Sequence, residues 1–186
     1  PDVVDGGVGA VINGLPCDMM HVHGSYLYMA GTADHTVQRL YIDAWTPDWD
    51  WFDVSTILTT AIVSIAVAEA GLDQAYISDA LHISKCDVAT GATCSLVFTA
   101  VAETGTCNDG GDSVATVNTL SGLNWHPSRN ELVFADGGCN LLRGLDLGSL
   151  VVTTIAGDGT SSDHTDGSAA SAALPRSEEH TSELQS

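Results

Sequence analysis

Three histidines are the residues best suited to hold a metal ion. His21 and His23 stand two apart, and His126 lies far along the chain. On a β-strand, residues two apart point to the same side, and neutral imidazole is the commonest metal ligand among side chains. Aligning Asn13 with Asn118 brings His21 onto His126, so equivalent strands would offer imidazoles to one place. A zinc site needs at least three protein ligands together; the competing reading is polar residues at strand ends. The stretches Asn108-Asp109-Gly110-Gly111-Asp112 and 158–166 raise calcium as the other cation. They lack the spacing of an EF-hand loop, and Asp with Gly is ordinary turn chemistry. The expected cofactor is therefore none, with zinc or calcium as the alternatives. There is no Gly-x-Ser-x-Gly elbow, no P-loop and no serine in a nucleophile context with His and Asp, so no catalytic residue is assigned.

Cysteine and tryptophan supply the remaining chemistry. Cys86 and Cys94 bracket a turn at 87–93. In a hairpin centred on Thr90 they lie opposite each other on adjacent strands, which suits a disulfide; the alternative is two small buried thiols. A bridge implies an oxidising, extracellular or secretory setting. Cys107 and Cys139 fall in loops of one neighbourhood and form a second candidate pair, Cys17 has no local partner, and no CxxC spacing supports a zinc knuckle. Trp45, Trp49, Trp51 and Phe52 cluster in WTPDWDWF. Read as an extended loop, this is either a recognition surface, since Trp is enriched at binding hot spots, or a cap over a strand edge.

These residues must be positioned by a repeated element. One plan occurs about three times: YLYMAGTADHTVQRLYID from Tyr26, AYISDALHISKCDVATGATCSLVFTA from Ala75, and LVFADGGCNLLRGLDLGSLVVTTIAG from Leu132. Ala30, Ser78 and Ala135 hold equivalent places. Each copy opens with a short apolar or aromatic run, passes small or polar residues, and continues into a second run. The second and third copies then turn at Asp and Gly or Ser and enter a third run. A further apolar run precedes each copy, near 19–23, 62–67 and 123–126. This predicts four short antiparallel strands per unit, with little helix. Such a unit cannot bury both faces alone, so neighbours must bury one another. Four strands per repeat is the arithmetic of a β-propeller blade.

The third copy carries Ala135-Asp136, Gly138, Leu142-Arg143, Asp146 and Val152-Thr153-Thr154-Ile155-Ala156-Gly157. The first keeps Ala30, His35, Val37 and Arg39, with Gly31 in place of the Asp; the second keeps Asp79, Ile83, Lys85 and Asp87 and is shortened before Leu81. The segments Asp166-Gly167 to Leu174-Pro175 and Asp5-Gly6 to Pro16 are similar to inter-blade connections. Together these residues resemble the NHL-repeat family over residues 5–175. The resemblance implies an all-β fold, a partial β-propeller of about three four-stranded antiparallel blades, near 17–60, 61–106 and 122–158 of a propeller region at 1–175. It also implies a non-catalytic scaffold for protein or peptide binding, as a fragment of a larger protein. The alternatives are a propeller enzyme, lyase- or hydrolase-like, with a channel metal site at His21, His23 and His126, and an extracellular sensor domain of a receptor-like protein. No lyase-specific motif matches. The last eleven residues, RSEEHTSELQS, resemble translated sequencing adaptor and are expected to be an artefactual tail.

Charge narrows the partners. The formal net charge is −19; the tail holds one Arg against three Glu, a net of −2, which leaves −17. Some NHL proteins bind RNA through a positive face. Nucleic-acid affinity rests on neutralising phosphates with Lys and Arg, and before the tail only Arg39, Lys85, Arg129 and Arg143 are basic, so no nucleic-acid partner is expected. The apolar stretch 57–70 is too short for a membrane span and reads as two buried strands. No membrane segment is expected in this sequence.

Overall fold

Short apolar runs broken by Gly, Asp and Asn condense into antiparallel ladders. The computed structural model describes residues 17–31, 36–41, 50–53, 60–68, 74–87, 94–159, 167–172 and 174. Within these residues the chain is all-β, with several antiparallel sheets and a single 3-10 turn at Pro127–Arg129. No helix among them is long and apolar enough to cross a membrane.

The first sheet runs β1 (Cys17–His23), β2 (Tyr26–Gly31), β3 (Thr36–Tyr41) and β4 (Asp50–Asp53), each strand beside the next. Gly24 opens the turn between β1 and β2 at φ +54°, a left-handed conformation that Gly adopts without steric cost. The second sheet runs β5 (Ser64–Ala68), β6 (Gln74–Ser78), β7 (His82–Asp87) and β8 (Cys94–Thr99) in the same simple order. The chain then makes an excursion through β9 (Val101–Ala102), β10 (Gly110–Gly111) and β11 (Thr116–Val117), in which β9 and β11 pair in parallel. The third sheet is β12 (Leu120–His126), β13 (Glu131–Asp136), β14 (Leu141–Asp146) and β15 (Val151–Ala156), and β10 adds to its outer edge beside β15.

Alternate residues of the second sheet face opposite ways, and both sides are covered. Ile65, Val67, Ala75, Ile77 and Cys86 are buried in one cluster with Tyr28, Ala30 and Val37 of the first sheet. Ala66, Tyr76, Ile83 and Phe98 are buried in another with Leu123, Leu132, Phe134, Leu145 and Val152 of the third. A strand buried on both faces reads as a continuous apolar run rather than an alternating one, and all five residues of β5 are buried. The 57–70 stretch thus holds one described strand, preceded by buried Ile62; 57–59 and 69–70 lie outside the described residues. The first strands of the second and third sheets lie side by side. Leu123 N donates to the buried Ser64 Oγ at 2.7 Å, and Leu120 N donates to Ala80 O at 3.1 Å.

Two details of the repeat alignment change. Counting back from Asp87 and Asp146, which close β7 and β14, the residue matching Arg143 is Ser84, not Lys85. Ser84 is buried, while the next residue, Lys85, points to the other face and is half-buried. The turn between Asp79 and His82 is also two residues shorter than that between Asp136 and Leu141, as the shortened second copy predicts.

Candidate functional site

The best-organised polar cluster is built around Arg143, on the second strand of the Leu132–Leu145 hairpin. Its side chain is wholly buried, as is that of Asp136. Arg143 Nη1 donates to Asp136 Oδ2 at 3.1 Å and to Thr116 O at 2.6 Å. Its Nη2 donates to Asn108 O at 2.6 Å and to Asp109 Oδ1 at 3.0 Å. The other oxygen of Asp136 accepts the backbone N–H groups of Asn118 at 3.0 Å and Thr119 at 3.3 Å. Asp109 accepts Thr154 N and Thr154 Oγ1, both at 2.9 Å. A planar guanidinium suits this work, because it presents several donors in a fixed fork. Partial burial raises the Asp109 carboxyl pKa, but the two Thr154 bonds and the Arg143 guanidinium outweigh it and hold the group below the ordinary carboxylate value.

A disulfide reinforces the same place. Cys107 and Cys139 are joined across 32 residues, with Cα atoms 6.1 Å apart. Arginine and disulfide together clasp the 106–119 excursion onto the third sheet. Cys107, Asp136 and Cys139 form the only grouping of three metal-ligating side chains found among the described residues, their ligand atoms lying within 4.8 Å. Both sulfurs are spent on the bridge, whereas a metal takes thiolates, and Asp136 already serves Arg143 and two N–H groups. In the second sheet the corresponding Asp79 has other work. It is buried and accepts Leu81 N at 2.9 Å, His82 N at 2.7 Å and His82 Nδ1 at 2.9 Å, which closes the turn.

Cys86 and Cys94 stand directly opposite in the β7–β8 register and form a disulfide with Cα atoms 4.1 Å apart. The three histidines do not align as the sequence comparison suggests. His126 closes β12 opposite Glu131, as His23 closes β1 opposite Tyr26; His21, opposite Tyr28, corresponds to Asn124. The difference comes from the turns: Gly24 and Ser25 alone separate His23 from Tyr26, whereas the four residues 127–130 separate His126 from Glu131, so an offset that fits β2 and β13 is wrong by two on β1 and β12. His126 is exposed, and its Nδ1 lies 3.3 Å from Ser128 Oγ. His21 is half-buried, and the side chain of His23 lies outside the described residues. Trp45 and Trp49 also lie outside them. Trp51 and Phe52 occupy β4, opposite Gln38 and Val37, so this end of the aromatic segment is an edge strand rather than a loop; their side chains lie outside the described residues. In the loop at 108–112, Asp109 belongs to the Arg143 cluster and Asp112 Oδ1 accepts Thr99 N at 2.7 Å. Sequence reasoning missed Arg143 as an organising centre. The available signal was a basic residue inside an apolar strand of a chain with only five Lys and Arg.

The described residues define an all-β protein of several antiparallel sheets. No family model matches the chain, and no curated protein sequence matches it. Solved structures do. An auxiliary nutrient-binding protein of Bacteroides thetaiotaomicron VPI-5482 is similar at TM-score 0.60 and 20% identity, over 81% of this chain and 38% of that one. Another auxiliary nutrient-binding protein, of Bacteroides ovatus ATCC 8483, is similar at TM-score 0.51 and 17% identity, over 72% and 34%. Hydrazine synthase of Kuenenia stuttgartiensis is similar at TM-score 0.50 and 16% identity, over 70% and 32%. The chain therefore spans about a third of the length of these proteins, and at such identities the likeness is one of fold alone.

Proposed function

We propose that the three sheets are successive blades of an NHL-type β-propeller, and that the chain is a non-catalytic scaffold for protein or peptide binding within a larger, extracellular protein. The observation that carries this reading is the stacking. The second sheet is a four-stranded meander covered on both faces by its neighbours, and its first strand lies against the first strand of the next sheet. The two disulfides support an oxidising compartment. Binding is preferred to catalysis because, in the strongest polar cluster, both terminal nitrogens of Arg143 and the carboxylates of Asp136 and Asp109 are already engaged within the chain. The aromatic segment holding Trp45, Trp49, Trp51 and Phe52 is the proposed contact surface, since Trp is over-represented where binding energy concentrates.

The test is selection of a random-peptide display library against the purified, oxidised chain. Convergence on a consensus peptide, with binding lost in a Trp45→Ala/Trp49→Ala variant, supports the reading. Failure to converge, together with zinc-dependent lyase or hydrolase turnover, would replace it with the enzyme alternative.

A further inference from the structure

In the bridged chain the sulfurs of Cys107 and Cys139 are spent on each other, yet their surroundings suit a pair of metal ligands. The two sulfurs and a carboxylate oxygen of Asp136 lie within 4.8 Å of one another. Asp136 and Cys139 are buried, and Cys107 is half-buried. Both cysteines are also held in place without the S–S bond. Asn108, next to Cys107, donates its N–H to Thr116 Oγ1 at 2.6 Å, and its carbonyl accepts Arg143 Nη2 at 2.6 Å and Thr116 N at 3.1 Å. Cys139 N donates to Asp136 O at 3.1 Å, and Gly137 N to Thr119 O at 2.9 Å, which closes the turn carrying Cys139. The Cα atoms, 6.1 Å apart, are therefore fixed from both sides, and breaking the bridge leaves two thiols facing each other. Cys86 and Cys94 differ, since among the described residues no third ligand atom groups with them.

We propose that Cys107, Cys139 and Asp136, with the bridge reduced, bind a divalent thiophilic ion of the zinc class. Two sulfurs at about 2.3 Å from a tetrahedral ion stand about 3.8 Å apart, so they need part only within the span the three ligand atoms already cover. Charge selects the ion. Two thiolates and a carboxylate place three negative charges in a buried position, and a divalent cation together with the Arg143 guanidinium cancels them. Thiolate ligands favour zinc over magnesium or calcium. Asp136 keeps its present partners, because each carboxylate oxygen has two lone pairs and metal-bound carboxylates are themselves held by hydrogen bonds. Here that support comes from Asn118 N, Thr119 N and Arg143 Nη1. Three protein ligands leave a fourth position for water.

Bridge and ion exclude each other. Exchange with a dithiol breaks the S–S bond: two thiols form on the chain, and the dithiol closes to its own disulfide. Binding the ion then releases the two thiol protons. Exchange with a small disulfide runs the other way: the two thiolates pass two electrons to it, the bridge re-forms and the ion leaves. The site does not depend on reading the sheets as blades.

The full 186-residue chain is reduced with a dithiol, freed of it by anaerobic gel filtration, and titrated with zinc against a chromophoric chelator. One zinc is expected per reduced chain, and none that withstands the chelator on the oxidised chain. Cys107→Ser/Cys139→Ser should weaken binding about tenfold or more, while Cys86→Ser/Cys94→Ser should leave it unchanged. Cobalt in place of zinc should give a sulfur-to-metal charge-transfer band that the first variant lacks. A second readout needs no variant: zinc should slow alkylation of Cys107 and Cys139, followed by peptide mass spectrometry, and not that of Cys17, Cys86 or Cys94. Equal binding by the reduced and oxidised chains, binding kept by Cys107→Ser/Cys139→Ser, or protection of a different set of cysteines would each overturn the site. So would loss of the β circular-dichroism spectrum on reduction alone. Should the serine variant itself fail to fold, the alkylation pattern decides.

Discussion

Arg143 and Asp136 form a wholly buried ion pair. Such pairs contribute little net stability compared with apolar residues, yet breaking one by removing a single partner is costly. Arg143→Met leaves the Asp136 carboxylate buried with only two N–H donors, takes the guanidinium bond from Thr116 O, and leaves Asn108 O with the Thr116 N–H alone. The expected loss is about 3–5 kcal/mol in urea denaturation; a loss below about 1 kcal/mol would show that the cluster is incidental. Arg143→Lys should recover little of it, because one ammonium cannot serve four acceptors in the guanidinium plane. Asp109 gives a pH signature with a defined sign. Its folded pKa is below the ordinary carboxylate value, so the unfolded chain takes up the proton first as pH falls. Its contribution is fully present above about pH 4–5, near the unfolded value, and is lost as pH falls through the lower folded value. Asp109→Asn should therefore flatten the stability profile below about pH 4 relative to the parent. An unchanged acid limb in thermal melts from pH 2 to pH 6 would contradict this assignment.

At the scale of elements, the two disulfides close loops of different size. Cys86 and Cys94 are 8 residues apart and close one hairpin, whereas Cys107 and Cys139 are 32 apart and fasten the excursion to the third sheet. Chain-entropy arguments give about 2.5 kcal/mol for the shorter loop and about 3.7 kcal/mol for the longer. Cys107→Ser/Cys139→Ser should thus destabilise the chain more than Cys86→Ser/Cys94→Ser, by about 1 kcal/mol; equal or reversed losses would show that loop size does not govern here. Alkylation of the non-reduced chain should leave all four cysteines unlabelled. The shorter bridge was legible in the sequence because a hairpin places residues by counting, and the strands were legible because Gly and Asp punctuate apolar runs. Other features were not. Asp109 lies 34 residues from Arg143, and an Asp-Gly string reads the same whether it turns the chain, binds calcium or meets a distant guanidinium. The match of His126 to His23 was hidden by the turn after β12, four residues against two after β1, which shifts that strand by two against an alignment that counts the copies as continuous. Trp51 and Phe52 read as a loop because their copy lacks the tight turn that announces the fourth strand elsewhere.

For the molecule as a whole, the two cores decide how independently the sheets behave. Phe98, on the outer strand of the second sheet, is buried in the same cluster as Phe134 and Leu145 of the third. The second sheet therefore has no core of its own on that side, and repeats that share an interface gain stability from the neighbour contact as well as from themselves. Phe98→Ala should cost about 3–5 kcal/mol, as aromatic truncations in packed cores do. If coupling is strong, the loss is not confined to the second sheet. Amide exchange should accelerate on β6 and β7 and equally on β13 and β14, because the cavity opens between them. Faster exchange on the second sheet alone would mean that the third is stabilised mainly by its own ladder and by the Arg143 clasp. That outcome can be separated in one further step: in Arg143→Met, protection should fall first in the 106–119 excursion and β15, the segments the guanidinium and Asp109 hold together, while β6 and β7 keep theirs.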